Sequence, residues 1–228
     1  METYKNIINL TQITNLLSYI KFFFYNYFVG HYTQKLYKNF LRKIPEESVV
    51  LDIGIGNGFS LIKNSDLIKS KKIKVVGIDI DSPSINLANT FIKENKLEDL
   101  IEAHNQNIYN YKTKEKYDYI YFSNSYSVIP NVHEMIDHVK DNYLKKDGEI
   151  VISTTIENNF NFVKQTVKPN MKYLFFGIDF GRLTLMKNFV NTIRENKLFI
   201  NYLENSYHNW YPFWGNIDIF TFYLKKDN

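Results

Sequence analysis

The stretch Val49-Val50-Leu51-Asp52-Ile53-Gly54-Ile55-Gly56-Asn57-Gly58 constrains the fold more than any other part of the chain. An apolar, β-branched run ends in an acid, and glycines follow at alternate positions. Such a run reads as a buried strand turning sharply into a helix, because glycine enters left-handed backbone conformations without a Cβ penalty. Glycine also lets a ligand come closer to the main chain than any Cβ would permit, beside the free N–H groups that open a helix. A second run, Lys74-Val75-Val76-Gly77-Ile78-Asp79-Ile80-Asp81, repeats the theme one strand and one helix later. From Val49 onward, strand-like and helix-like segments alternate, which predicts a parallel sheet covered on both faces.

The expected strands are 49–53, 74–80, Leu100–Asn105, Tyr117–Ser123, Glu149–Thr155, Lys197–Tyr207 and Ile217–Lys225. Helices are expected at 58–69, from Ser82 as N-cap with Pro83 at the first helical position, at 131–145, and at Leu183–Asn196. Lys145-Lys146 would close the third of these, with Asp147-Gly148 as its stop. Ahead of the sheet, residues 11–30 read as a helix with Leu16, Leu17, Ile20, Phe23, Phe24, Tyr27 and Phe28 on one face. Tyr19, Phe22 and Tyr25 make the other face aromatic, which suits a lid, a homodimer contact or a membrane-surface contact. Thr14, Asn15, Ser18, Lys21 and Asn26 interrupt the roughly 20 apolar residues that a transmembrane span needs. A further helix, Thr33–Lys43, ends before Pro45.

Composition narrows the function classes. Among 228 residues there is no cysteine, so disulfides, thiolate metal sites and cysteine nucleophiles are excluded. A net charge of +4 permits an anionic partner, but the Lys clusters are short and mixed with acids, as on solvated faces. Aromatics reach 17% alongside abundant Asn, Ile and Lys, all with A/T-rich codons, so genome composition accounts for much of that excess. No signal peptide is recognisable, and a cytoplasmic protein is expected.

The pattern D-x-G-x-G-x-G at Asp52–Gly58, with Asp79 closing the second strand, resembles class I S-adenosylmethionine (SAM)-dependent methyltransferases. The resemblance is clear over about residues 45–155. A dinucleotide fingerprint fits less well, because Phe59 stands where its third small residue belongs. The resemblance implies an α/β fold with a seven-stranded, mostly parallel sheet whose last strand is antiparallel and inserted beside the fifth. It implies a helical cap over 1–44, a methyltransferase domain over 45–228, and SAM as cofactor with S-adenosylhomocysteine as product. Gly54, Gly56, Asn57 and Gly58 would wrap the cofactor, and Asp79 would bind its ribose hydroxyls with Ile80 beside it. Asp52 would lie toward the methionine end, or else fix the glycine loop. Asn107-Ile108 would meet the adenine, although the family more often has Asp at the first of these positions. Ser123 would hold the methionine moiety, Asn124 and Tyr126 would face the acceptor, and His31 and Tyr32 precede the glycine motif near the cofactor.

Ser123-Asn124-Ser125-Tyr126 lacks the N/D-P-P-Y/F pattern of enzymes that methylate exocyclic amines of bases. If the acceptor must lose a proton, His133 and His208 are the candidate bases. His133, Glu134, Asp137, His138 and Asp141 fall at helical spacing, but charge pairing on an exposed face explains them more simply than a metal, so none is expected. Segments 156–182 and 207–216 are rich in aromatics and suit a cap over a shielded pocket. The expected activity is methyl transfer to O or N of a small acceptor: a metabolite, sugar or lipid precursor. Two alternatives stay open: an RNA methyltransferase, and a non-catalytic subunit of this fold that binds a protein partner.

Overall fold

The computed structural model describes residues 30–160, 162, 166–167, 170, 184–211 and 215–227. The helix expected over 11–30, with its dimer contact, lies outside the described residues except for Gly30, as do most of 156–182 and the tip of the 207–216 loop. In chain order the elements are α1 (His31–Lys43), β1 (Val49–Ile53), α2 (Phe59–Ile62), α3 (Ser65–Lys71), β2 (Lys74–Asp79), α4 (Ser82–Glu94) and β3 (Ile101–Asn105). There follow β4 (Tyr117–Ser123), α5 (Val132–Asn142), β5 (Leu144–Glu157), β6 (Thr184–Leu185), α6 (Met186–Glu195), β7 (Leu198–Tyr211) and β8 (Gly215–Lys226).

The sheet runs β3-β2-β1-β4-β5-β8-β7, with the two-residue β6 paired to β5. β1 to β5 are parallel, and β8 is antiparallel to both β5 and β7. The expected antiparallel strand beside the fifth is therefore present, and β6 makes an eighth strand among the described residues. Strands buried on both sides need apolar side chains pointing both ways. Leu51, Ile120, Phe122 and Ile152 face α5 and α6 through Met135, Ile136, Phe189 and Ile193. Val50, Tyr121, Val151 and Tyr223 face α1 to α4 through Phe40, Leu41, Leu61 and Ile85.

Helix α1 buries Leu36, Tyr37, Phe40 and Leu41 on one face. Each such side chain contributes about 1.5–3 kcal/mol when fully buried. Phe40 stacks on Tyr121 with ring centroids 4.1 Å apart, which sets the helix flat on β4. At its far end Lys43 pairs with Glu204 of β7 at 3.0 Å, and its ammonium lies 3.3 Å from the centroid of the Tyr202 ring.

Three local expectations are corrected. The helix expected at 58–69 is two short helices, because the Asn64 amide donates to the carbonyls of Ser60 and Gln34 and interrupts the turn. Ser82 is not the N-cap of α4: the Asp81 carboxylate accepts from the Ser84 N–H, which leaves Ser82 and Pro83 in the first turn. Helix α5 stops at Asn142, and Lys145-Lys146 belong to β5. Lys145 reaches Asp118 at 2.8 Å, and Gly148 fits against the Asp118 carbonyl beside a register shift between β4 and β5. The glycine serves a bulge and not a helix stop.

Candidate functional site

Strand order reverses between β1 and β4, and in an open α/β sheet a ligand binds outside the carboxyl ends at such a point. The loop leaving β1 there has positive φ at Gly54 (+82°), Gly56 (+59°) and Gly58 (+65°), conformations that other residues adopt only under strain. A Cβ at Gly54 would collide with Ser125, whose hydroxyl donates to the Ile53 carbonyl and ties the end of β4 to the end of β1. Ile55 folds back onto β2, where its side chain occupies the space that a Cβ on Gly77 would need. At Gly56 no described residue lies within 4 Å of where a Cβ would stand, so among the described residues this backbone is open to a ligand.

Asp79 holds the loop from the side. Its Oδ2 accepts from the Gly56 N–H at 2.8 Å and its Oδ1 from the Asp81 N–H at 2.9 Å. Burial raises its pKa, and the backbone donors oppose that rise. Asn57 Oδ1 accepts from the Phe59 N–H at 3.0 Å and shapes the exit of the loop.

One strand over, Asp52 is buried and its Oδ2 accepts from the Tyr37 hydroxyl of α1 at 2.8 Å. Burial pushes its carboxyl up to about 7; the Tyr37 bond opposes the rise and the charge of Asp79 adds to it. Asp52 therefore does not fix the glycine loop through backbone N–H groups, the second role open to it. Its Oδ1, the Ser123 hydroxyl and the Asn124 Nδ2 are buried without a hydrogen-bond partner. An unmatched buried polar group costs about 1–3 kcal/mol. Asn124 also sits at φ +60° while its N–H is held by the Ser153 carbonyl at 2.9 Å. Unmatched atoms at the ends of two adjacent strands, beside an open glycine loop, fit a polar ligand that completes them.

A family model described as a methyltransferase domain matches residues 44–206, more than two thirds of the chain. The chain belongs to this family of SAM-dependent methyltransferases. Two curated relatives carry the description "Ribosomal protein L11 methyltransferase". The protein from Alkaliphilus oremlandii is 28% identical over 129 residues, 57% of this chain and 39% of the relative. That from Staphylococcus haemolyticus is 35% identical over 118 residues, 50% of this chain and 34% of the relative. The chain thus spans less than two fifths of the length of either. Among solved structures, the [4+2]-cyclase SpnF matches with TM-score 0.67 and 11% identity over 85% of this chain and 81% of its own. A SAM-dependent methyltransferase from Thiobacillus denitrificans, in complex with S-adenosylhomocysteine, matches with TM-score 0.61 and 12% identity over 85% and 90%. The two structures agree in fold, and the cyclase shows that the fold alone does not fix the reaction.

Within the methyltransferase, the other expected site residues divide. Ile80 is 74% exposed at the mouth of the crevice, beside Asp79. Asn107 is exposed, and its Oδ1 accepts from the Tyr109 N–H at 3.0 Å, so part of its acceptor capacity is used locally. The side chains of Ile108 and Tyr126 are both buried in the core. Tyr126 lies against Phe122 and Phe189, and burial pushes its hydroxyl up to about 12. The resemblance implies an acceptor contact for Tyr126, whereas its ring fills space between β4 and α6. Tyr32 packs against Tyr207 with centroids 5.5 Å apart, and His31 is exposed.

His133 points toward Glu195 of α6, 3.4 Å away, and does not join the cluster at β1 and β4. His208 is tied through Nδ1 to Asp218 at 2.6 Å, where β7 and β8 extend beyond the last β5–β8 pair. Among the described residues no three His, Cys, Asp or Glu side chains come together to hold a metal ion. Asp137 pairs with Lys140 at 2.7 Å. No described helix is long and apolar enough to cross a membrane. Tyr37 and Ser125, which hold the ends of β1 and β4 to their neighbours, were not singled out from the sequence. Tyr37 belongs to no motif, Ser125 stands inside the strand-four tetrapeptide without a role assigned to it, and their contacts exist only once α1 and β4 have docked against β1.

Proposed function

We propose that this chain transfers the methyl group of SAM to an oxygen or nitrogen of a small-molecule acceptor, a metabolite, sugar or lipid precursor. The observation that carries the reading is the set of unmatched buried atoms on Asp52, Ser123 and Asn124 beside the open backbone of Gly56. SAM supplies the chemistry through a sulfonium-bound methyl group, already activated for in-line displacement. What the protein adds is alignment, worth on the order of 7–11 kcal/mol in favourable cases. Asp79 keeps lone pairs for the ribose hydroxyls while its two backbone bonds fix its plane. Ile80 and Asn107 border the adenine end, and Ser123 and Asn124 the methionine and acceptor end.

An acceptor that must lose a proton is served better by His208 than by His133. With Asp218 accepting from Nδ1–H, the tautomer leaves Nε2 as a base. Residues 1–44 would cap the domain at 45–228, with α1 the part of that cap whose contacts are described. The names of the curated relatives favour one second reading, a protein as acceptor.

The test is a thermal-shift titration with SAM, S-adenosylhomocysteine and NAD on wild type and Asp79→Ala. A ligand at about 100 times its dissociation constant stabilises by roughly 2.7 kcal/mol, or about 5–10 °C for a chain of this size. A shift with SAM and its product, absent with NAD and reduced in the variant, supports the reading, and labelled SAM then ranks small acceptors against ribosomal protein L11. A folded sample that shifts with neither SAM nor S-adenosylhomocysteine sinks it.

A further inference from the structure

Among the described residues, Tyr37 reaches the β1–β4 crevice from α1 and not from the sheet. Its hydroxyl donates to Asp52 Oδ2 at 2.8 Å, and both residues are buried. The ring is wedged edge-on against Tyr121, with centroids 5.3 Å apart and planes at 78°. Phe40, one turn along, stacks on that same Tyr121, and Lys43 is anchored to Glu204. With the ring held in this way the Tyr37 hydroxyl meets Asp52, and the bond depends on α1 lying flat on the sheet. Asp52 is left with one oxygen bonded and the other, Oδ1, buried and unmatched.

We propose that Tyr37 is a positioning residue for the methyl donor: by holding Asp52 Oδ2 it aims Oδ1 at the cationic methionine end of SAM and makes docking of α1 part of cofactor binding. The inference rests on the function proposed above. Among the described residues, the titratable groups that face Asp52 are Tyr37 from α1, Tyr121 from β4 and Asp79 from β2, and none of them supplies positive charge. A buried carboxylate without a cation prefers to keep its proton, and an incoming cation favours the charged form. With the Asp52 carboxyl raised to about 7, SAM binding releases a proton near neutral pH. SAM affinity accordingly rises with pH, by up to about tenfold per unit below the midpoint.

Tyr37→Phe keeps the ring and removes the bond. Its SAM dissociation constant at pH 8 is expected to rise about 10- to 100-fold, as for loss of a hydrogen bond to a charged group. The midpoint of the affinity–pH curve is expected to move up, because the lost bond favours the ionised carboxyl. A purely packing role would lower thermal stability and leave that midpoint in place. A folded Tyr37→Phe protein with wild-type SAM affinity and midpoint overturns the proposal. Should that variant fail to fold, calorimetry on the wild-type chain decides: SAM titrations in buffers of different ionisation enthalpy at pH 7 must show fractional proton release. Measurable binding without release overturns the proposal while the function stands. Wild-type protein that binds no SAM takes the proposed function down with it.

Discussion

At the carboxyl end of β2, Asp79 gives one oxygen to the Gly56 N–H and the other to the Asp81 N–H. One strand over, at the ends of β1 and β4, Asp52 Oδ1, the Ser123 hydroxyl and Asn124 Nδ2 have no partner. The two regions share a residue type and a position at a strand end. They differ in what has been finished. The β2 end is complete without a ligand, since its carboxylate organises the loop. The β1–β4 end is incomplete, and its cost is recovered when something polar binds. The two acids thus differ in how far the protein itself satisfies them: both oxygens of the half-buried Asp79 accept from the backbone, and one oxygen of the buried Asp52 is unmatched.

The largest effect is expected where the cradle itself is broken. Gly54→Ala puts a Cβ into Ser125 at a φ of +82°, and the combined strain and overlap are worth about 2–5 kcal/mol. Urea unfolding should show that loss together with abolished SAM binding. Asp79→Ala should raise the SAM dissociation constant about 100-fold by equilibrium dialysis, with apo stability falling by only about 1–2 kcal/mol, because water can reach donors at a half-exposed site. An equal loss in both would erase the distinction between building and binding.

Asp52→Asn probes the unfinished side through pH. The wild-type carboxyl is raised by burial from 3.8 to about 7, so the folded state binds the proton more tightly than the unfolded one. That contribution is complete below about pH 4 and is lost as pH rises through about 7, roughly 4 kcal/mol at most. Asp52 therefore makes ligand-free wild type less stable at pH 8 than at pH 5, and Asp52→Asn should remove this part of the slope in a pH series of unfolding curves. Ser123→Ala is smaller and sharper. It removes a buried, unmatched hydroxyl, so apo stability should stay level or gain about 1 kcal/mol while SAM affinity drops a few-fold. Ile80→Ala, at an exposed position, should cost no more than about fivefold in affinity and nothing measurable in stability.

How far these regions could be read in advance follows the distance between partners along the chain. β1 and β4 were legible to the residue, and β2 to within one, because apolar runs and glycines are local signals. The cradle was legible for the same reason. Asp81 displaced Ser82 as cap because two capping residues stood side by side and only the backbone at Asp81 turns out extended. Gly148 misled because a glycine after lysines signals a helix end as readily as a bulge. The Tyr37–Asp52 bond spans two elements that meet only in three dimensions, and Tyr37 carries no spacing to any motif. Tyr126 shows the reverse, a motif position whose ring the core claimed.

Ile55 and Gly77 make one last point, about heredity. The side chain of Ile55 fills the place where a Cβ on Gly77 would stand, so Gly77 cannot gain a side chain while Ile55 keeps its full size. Descendants of this sequence can acquire alanine at 77 only after residue 55 has become smaller. The reverse order passes through an intermediate whose glycine loop is pushed off β2. The route that such a lineage can take is set by the order of its steps, and a cofactor loop keyed in this way keeps its register for as long as the lock comes before the key.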